Sequence, residues 1–489
     1  MTECDAVVVG SGPGGALCAY ELARAGKSVV VLEAGPKVRH GDTRRDAGQV
    51  LSRYFFYGGM RSTRGNTVMP SMQPRNLGGG SVWNSAICLR TPPFALQRWR
   101  DEHGLDFTSG QLDRHFDEVE KFMGVRPVAD DVLGVRNELF AEACEKMGFT
   151  PTRILRNENG CKGSAECFTL CPNDAKLSMD RRGIPEVLEL DGTVYTSVSA
   201  HEIIKSGSRA GGVRGFVVDP ITKKRSHKVE IRAKMTVLAA GCLATPELLQ
   251  RSKLGNENVG KNLRFHPGSM VMGSFDEDIE PWSGATQGYH CLDFLPDEGI
   301  KLEALWATSS LMASRFPGLG TELVGLLHNY RKMCSWDCWV SGEDSVGQVQ
   351  YRPGRRADII YNVGQGDCDR MAESLAKLCE MFFSVGATSV MTGVPSLPAP
   401  VSDRSIIDML RLRKYQPQGL PLASNHIFGT TAMGPDRRRH AVDPSGAVYE
   451  TDDLYVCDTG LLPGTPGANP MLPTMGLVHM IAEELNRRY

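Results

Sequence analysis

No uninterrupted apolar stretch in this sequence approaches the length of a membrane-spanning helix, so insertion into a membrane is not expected. Net charge is nearly absent as well. Fifty-five Lys and Arg against 57 Asp and Glu leave −2 at pH 7, so no nucleic acid or anionic lipid surface is expected as a partner. Internal repeats and low-complexity linkers are missing. Ahead of Val7–Val9 there is no basic segment followed by an apolar one, so no secretory signal is expected and the expected compartment is the cytoplasm. Cysteine, by contrast, is plentiful: in a cytoplasmic enzyme the 14 cysteines read as thiols or metal ligands before disulfides. At 489 residues, 41% hydrophobic and 23% charged, the chain has a globular composition and is too long for one core. Two or three domains, some discontinuous, are expected.

The most informative stretch is Asp5–Gly35. Ala6–Val9 is a short apolar run of buried-strand type, followed by Gly10, Gly12 and Gly15 in G-x-G-x-x-G spacing. An amphipathic helix from Gly15 to about Ala25 comes next, then a second apolar run, Ser28–Leu32, closed by Glu33. The glycines permit a tight turn and let backbone approach a pyrophosphate. The helix N-terminus offers free N–H groups and a positive dipole end, and the acid can accept from a ribose hydroxyl. A glycine-rich turn that binds nothing is the bland alternative, but strand, helix and acid are all in place. A cofactor with an ADP moiety is expected, NAD or FAD, which the motif alone does not distinguish.

Periodicity is lost from Val38 to Asn66, an arginine-rich loop region with an apolar patch at Tyr54-Phe55-Phe56-Tyr57. Gly78, Gly79 and Gly80 then remove side chains where a backbone must pass something flat or charged, or else form a flexible loop. Thr236–Ala240 reads as an apolar strand and Gly241 as a turn. Thr245 suits the N-cap, and Pro246 the first position, of a helix carrying Leu248 and Leu249. Asp453–Asp458 reads as a strand ending in an acid. A Gly/Pro-rich loop, Pro463–Pro470, leads into a helix from Met471 to Asn486, so Asn469 stands at a helix entrance.

In this order the blocks resemble the glucose–methanol–choline (GMC) oxidoreductases, a family of FAD enzymes. The dinucleotide fingerprint, Gly-Gly-Ser-x-x-Asn at Gly79–Asn84, Val237–Ser252, Val259–His266, Asn425–Gly434 and Asn469–Thr474 carry the resemblance. It implies an α/β flavoprotein whose Rossmann-like FAD domain is assembled from 1–95, 185–272 and 420–489. A second, mixed α+β substrate-binding domain with an antiparallel sheet would occupy 273–419, and 96–184 would form a cysteine-containing insert or lid. It further implies Glu33 on the FAD ribose and Asn84, in the block opened by Gly79, near the flavin ring system. Gly241 falls in the second signature, Asp458 and the backbone at Pro470 near the isoalloxazine, and Val198 at a backbone contact to adenine.

Oxidising an alcohol at a flavin requires a base for the O–H proton. His426 is the expected base, from its place in Ser-Asn-His and the glycine-bearing segment after it; His266, His290 and His479 read as structural. The family pairs this His with a second His or an Asn, and the matching residue is Asn469. It would donate its amide N–H to the substrate oxygen, or else merely shape the turn before Pro470. Cys161, Cys167 and Cys171, the last followed by Pro172, are read as iron–sulfur ligands or as structural thiols or a disulfide, their spacing departing from the ferredoxin pattern. Cys334 and Cys338 read as buried thiols.

Between Phe275 and Gly419 lie Asp276, Glu277, Asp278, Glu280, Asp293, Asp297, Glu298 and Glu303, against Lys301 alone in that run, with Trp282, Trp306, Trp336 and Trp339. Carboxylates and aromatic faces suit a polyhydroxylated or cationic ligand; a solvated acidic surface over a tryptophan-bearing core is the alternative. The expected activity is FAD-dependent oxidation of CH–OH to a carbonyl by hydride transfer to flavin N5. The substrate is expected to be a sugar or aminosugar alcohol of secondary metabolism, and the alternative is a long-chain or aromatic alcohol. Oxygen or a redox partner would reoxidise the flavin. A hydroxynitrile-lyase-like reaction without net redox stays open.

Overall fold

Two sheets built by opposite rules carry the chain, of which the computed structural model describes residues 2–39, 46–107 and 110–489. The first sheet has seven strands. Thr2–Val9 lies between Val29–Leu32 and Arg225–Leu238, with Thr193–Tyr195 beyond the former and Leu454–Val456 beyond the latter, all parallel. Ala6–Val9 and Val29–Leu32 are buried throughout, as a parallel sheet covered on both faces requires. Arg225–Leu238 serves twice. Its first half pairs antiparallel with Arg209–Val218, which pairs with Val198–Ser206, while its second half enters the parallel set.

The helices Pro13–Arg24 and Met471–Arg488 pack against each other beside this sheet. The first begins two residues before Gly15 because Pro13, with its fixed φ, suits the opening turn. Gln111–Met123, from the segment expected to be an insert, packs Phe116 and Met123 into the same core.

The second sheet is antiparallel, in the order Ser389–Met391, Gly268–Ser274, Met333–Val340, Ile300–Leu305, Tyr289–Cys291, Thr152–Arg153. Its two faces differ in kind. Ile300, Leu302, Ala304, Cys334, Trp336, Cys338 and Val340 belong to one core with the helix Gln365–Ser384, where Trp336 stacks on Phe382 with centroids 3.8 Å apart. Alternation puts Lys301, Glu303, Asp337 and Trp339 on the opposite face, yet Lys301, Glu303 and Trp339 are buried as well and Asp337 is half-buried. On that face Lys301 meets Asn469, and Trp339 lies against His266 and His426.

Two local expectations are corrected. Thr245 is not an N-cap: the helix runs Ala244–Ser252 behind Leu243, and the Thr245 hydroxyl donates to Asp458 Oδ2 at 2.5 Å. The region read as loop contains a helix, Ala47–Tyr54, whose cap Asp46 accepts from the Gln49 N–H at 3.1 Å. Ala47, Val50 and Tyr54 bury one face at helical spacing, a pattern the surrounding polar residues mask. Residues 40–45 of that loop expectation lie outside the described residues. No described helix is long and apolar enough to cross a membrane.

At Gly14 a Cβ would lie 2.0 Å from the Cys457 carbonyl oxygen. Gly14→Ala is therefore expected to destabilise by roughly 1–3 kcal/mol, the range for forced overpacking. Gly325→Ala, on an exposed helix position with nothing within 4 Å, is expected to leave the thermal unfolding midpoint level or raise it. Equal midpoints for the two variants would contradict this packing.

Candidate active site

The parallel strands all end at one edge, and the residues of the dinucleotide fingerprint gather there. Gly10 follows Thr2–Val9 at φ 107°, a conformation glycine tolerates, and a Cβ there would strike the Ala239 carbonyl. Gly15 sits so close to the Gly10 carbonyl that a Cβ would come within 2.1 Å. Gly12 differs: it precedes the helix Pro13–Arg24 with no side-chain cap, and a Cβ on it would meet nothing within 4 Å. The three positions thus divide into a tight turn, an open backbone cradle at a helix N-terminus, and close helix–strand packing, the arrangement that receives a dinucleotide pyrophosphate. Gly79, at φ 55°, lies directly over Gly12.

Side chains tie this edge together. Glu33 accepts from the Ser11 hydroxyl at 2.6 Å and from the Gly35 N–H at 2.7 Å, and burial pushes its carboxyl up. Ser11 Oγ also accepts from the Gly78 N–H at 3.0 Å, joining the fingerprint turn to the glycine loop. Asp458 accepts from the Gly241 N–H at 2.9 Å and the Gly460 N–H at 2.8 Å, and burial raises its carboxyl too. Val198 donates its N–H to the Glu33 carbonyl at 2.9 Å. Asn84 donates to Met471 Sδ at 3.2 Å, which places it beside Pro470, the cap residue of the last helix.

His426 and Asn469 meet beyond this edge. The strand Ile427–Phe428 pairs with Arg264–Phe265, and that register sets His426 beside His266. His426 Nε2 lies 3.3 Å from Asn469 Nδ2, and its Nδ1 lies 3.3 Å from His266 Nδ1. The His266 ring stacks on Trp339 at 4.2 Å, and its Nε2 reaches Thr465 Oγ1 at 2.9 Å. Burial lowers the His426 pKa to about 4, with the Glu303 carboxylate opposing and the Lys301 ammonium assisting. The ring is therefore neutral at pH 7 and able to take a proton.

Behind this pair stands a charged group that the sequence reading named only as part of an acidic run. Lys301 Nζ donates to Asn469 Oδ1 at 2.8 Å and pairs with Glu303. Glu303 also accepts from Trp339 Nε1 at 3.2 Å and from Gln287, which in turn accepts from Ser85. Burial alone would raise the Glu303 carboxyl, but the neighbouring ammonium holds it below its usual range. Asp337, across the strand pair, is pushed well up by burial and by Glu303, so one carboxylate faces one ammonium. The available signal was alternation. In Ile-Lys-Leu-Glu-Ala-Leu, 300–305, both charges fall on one face of a strand.

Other expectations fare differently. Trp306 and Trp336 are core residues, and Trp282 stacks on Tyr330 at a partly exposed position, leaving Trp339 alone of the four beside His426. Asp278 and Glu280 pair with Arg331 on the surface, while Glu303 is internal. The iron–sulfur expectation gains no support. All 14 cysteines are free thiols, Cys161, Cys167 and Cys171 among them, and among the described residues the donor atoms close enough to share one metal ion belong to His115, His479 and Glu483. Cys167 instead accepts from Arg156 Nη2 at 3.2 Å; burial would raise this thiol, but Arg156 and Lys176 hold it below the usual value.

Comparison with known proteins places these features. Two family models described as GMC oxidoreductase match residues 51–268 and 344–477, and an NAD(P)-binding Rossmann-like domain matches 8–60. An uncharacterised GMC-type oxidoreductase of Mycobacterium tuberculosis is 33% identical over 99% of this chain and 76% of its own length. A long-chain-alcohol oxidase of Arabidopsis thaliana is 28% identical over 99% of this chain and 68% of its own. A 6'''-hydroxyparomomycin C oxidase of Streptomyces lividus is 23% identical over 96% and 88%. Among solved structures, the formate oxidase of Aspergillus oryzae, studied for its FAD modification, superposes with a TM-score of 0.77 at 15% identity, covering 100% of this chain and 99% of that one. With its mixed α/β fold, its Rossmann-like edge and these matches along its length, the chain belongs to the GMC oxidoreductase family of enzymes.

Proposed function

We propose that the protein is an FAD-dependent alcohol oxidoreductase in which His426 is the base and Asn469 positions the substrate oxygen. The observation that carries this reading is the pair itself: a neutral imidazole Nε2 and an amide Nδ2, 3.3 Å apart, beyond the edge that fits a dinucleotide. The open cradle at Gly12 supports FAD as the cofactor, with Gly10, Gly12 and Gly15 at its pyrophosphate and Glu33 at its ribose. Val198 would lie toward the adenine, and Gly79, Asn84, Gly241, Asp458 and Pro470 toward the flavin. FAD, when bound, supplies the hydride acceptor. The protein's share is to hold the alcohol oxygen by the Asn469 N–H and to take its proton on His426 Nε2, so that the carbon can release hydride as the carbonyl forms.

A polar sugar or aminosugar substrate draws support from the paromomycin-type relative, but the tryptophans that first suggested it are mostly core. The higher identity to a long-chain-alcohol oxidase over nearly the whole chain favours a long-chain alcohol as the second reading. Anaerobic mixing with panels of both classes tests the activity. Bleaching of the flavin by one panel is expected; a flavin that stays oxidised with every alcohol, while a cyanohydrin is cleaved, would overturn oxidation in favour of a lyase.

Three further outcomes are expected. His426→Ala should retain FAD while its reduction by substrate slows by roughly a hundredfold or more, the usual loss on removing a general base; unchanged stopped-flow traces would remove His426 from that role. Gly12→Val should purify without flavin absorbance and match the thermal midpoint of wild-type protein stripped of its flavin, because the added side chain enters the cradle, where a Cβ meets no atom within 4 Å. Because His426 works in its neutral form, the second-order rate of flavin reduction should stay level as pH falls from 7 and drop only near the His426 pKa of about 4. A fall centred near 6.5 would contradict a desolvated base.

A further inference from the structure

We propose that Lys301 is a positioning residue that fixes which nitrogen of His426 carries the proton, leaving Nε2 bare toward the alcohol; this rests on the alcohol-oxidoreductase reading above. An amide side chain is ordinarily free to present either its oxygen or its nitrogen, and a neutral imidazole can carry its proton on either nitrogen. An ammonium group removes the first choice because it can only donate. With Lys301 Nζ 2.8 Å from Asn469 Oδ1, the amide oxygen is held by the lysine and Nδ2 is turned toward His426. His426 Nε2, 3.3 Å away, must then accept. Its single proton is left on Nδ1, which donates to His266 Nδ1 at 3.3 Å. His266 in turn carries its proton on Nε2 and donates to Thr465 Oγ1 at 2.9 Å.

From Lys301 to Thr465 every link thus has one sense. A hydroxyl that enters between Asn469 Nδ2 and His426 Nε2, displacing their direct contact, meets one donor and one acceptor, which is what an alcohol about to lose its proton requires. Read in the opposite sense, with a proton on Nε2, the same histidine could not act as the base.

The surroundings of Lys301 serve the same end. The lysine is fully buried, and a buried ion pair is often less stabilising than apolar residues of equal volume, so stability alone does not account for a charge at this position. Glu303 supplies the counter-charge and is itself tied down by Trp339 and Gln287. Gln287 leads to Ser85, next to Asn84 in the loop assigned to the flavin. The ammonium is therefore fixed from the flavin side and aimed at Asn469. It meets no substrate; it acts through Asn469 on His426.

The test reads the tautomer directly, by nitrogen NMR of the flavin-loaded enzyme labelled with 15N-histidine, the His426 signals being assigned by their loss in His426→Gln. The wild-type enzyme is expected to show His426 protonated on Nδ1 alone, and a proton on Nε2 would overturn the proposal without recourse to any variant. In Lys301→Met/Glu303→Gln, which leaves no buried charge of the pair unmatched, His426 is expected to populate both tautomers. Flavin reduction should slow roughly tenfold or more, as weakened general-base catalysis implies. Retention of the pure Nδ1–H form in that double variant would equally overturn it. The spectrum is taken without substrate, so a wrong tautomer rejects the role of Lys301 while flavin bleaching separately judges the alcohol reading.

Discussion

A single hydrogen bond, Lys301 Nζ to Asn469 Oδ1 at 2.8 Å, runs from the charged face of the antiparallel sheet to the loop that opens the last helix beside the parallel sheet. Each half is organised to present its end of this contact. Alternation along Ile300–Leu305 sends Leu302 and Ala304 into a core with the helix Gln365–Ser384 and leaves Lys301 and Glu303 on the other face. On the opposing side the Gly/Pro-rich segment up to Pro470 delivers Asn469 at a helix entrance. Because Lys301 is buried and matched by Glu303, its position is dictated by the packing of both sheets.

The parallel half obeys a different constraint, close backbone approach. Side chains are absent where Gly10, Gly14 and Gly15 pass other backbone within about van der Waals distance, and also at Gly12, where a Cβ would point into open space. That difference separates glycines needed for folding from one whose space is left for a ligand. Glu33 and Asp458 use their carboxylates on local N–H groups and hydroxyls, so the edge is held rigid by its own residues.

The parallel half was legible in the sequence because its signals are local: an apolar run, a glycine spacing, a helix, an acid. His426 and Asn469 could be picked out because each lies in a block whose order along the chain resembles the family's. Lys301 and Glu303 were not, because alternating charge on a strand ordinarily marks a solvated face; that this face meets Asn469 and His426 is a long-range fact that six residues cannot contain. Trp306 and Trp336 misled in the reverse direction, since large aromatics serve cores more often than ligands. The cysteine run misled through proximity in sequence. Arg156 reaches the Cys167 thiol, and the three sulfurs are not close enough together to share one metal ion.

The central claim is that His426 takes the proton of an alcohol whose oxygen Asn469 holds and whose carbon gives up hydride. The most direct measurement is anaerobic flavin reduction by a substrate alcohol deuterated at its carbinol carbon, compared with the unlabelled alcohol. The account predicts that both bleach the flavin and that the deuterated alcohol does so more slowly. A flavin left oxidised by alcohols of every class would contradict it.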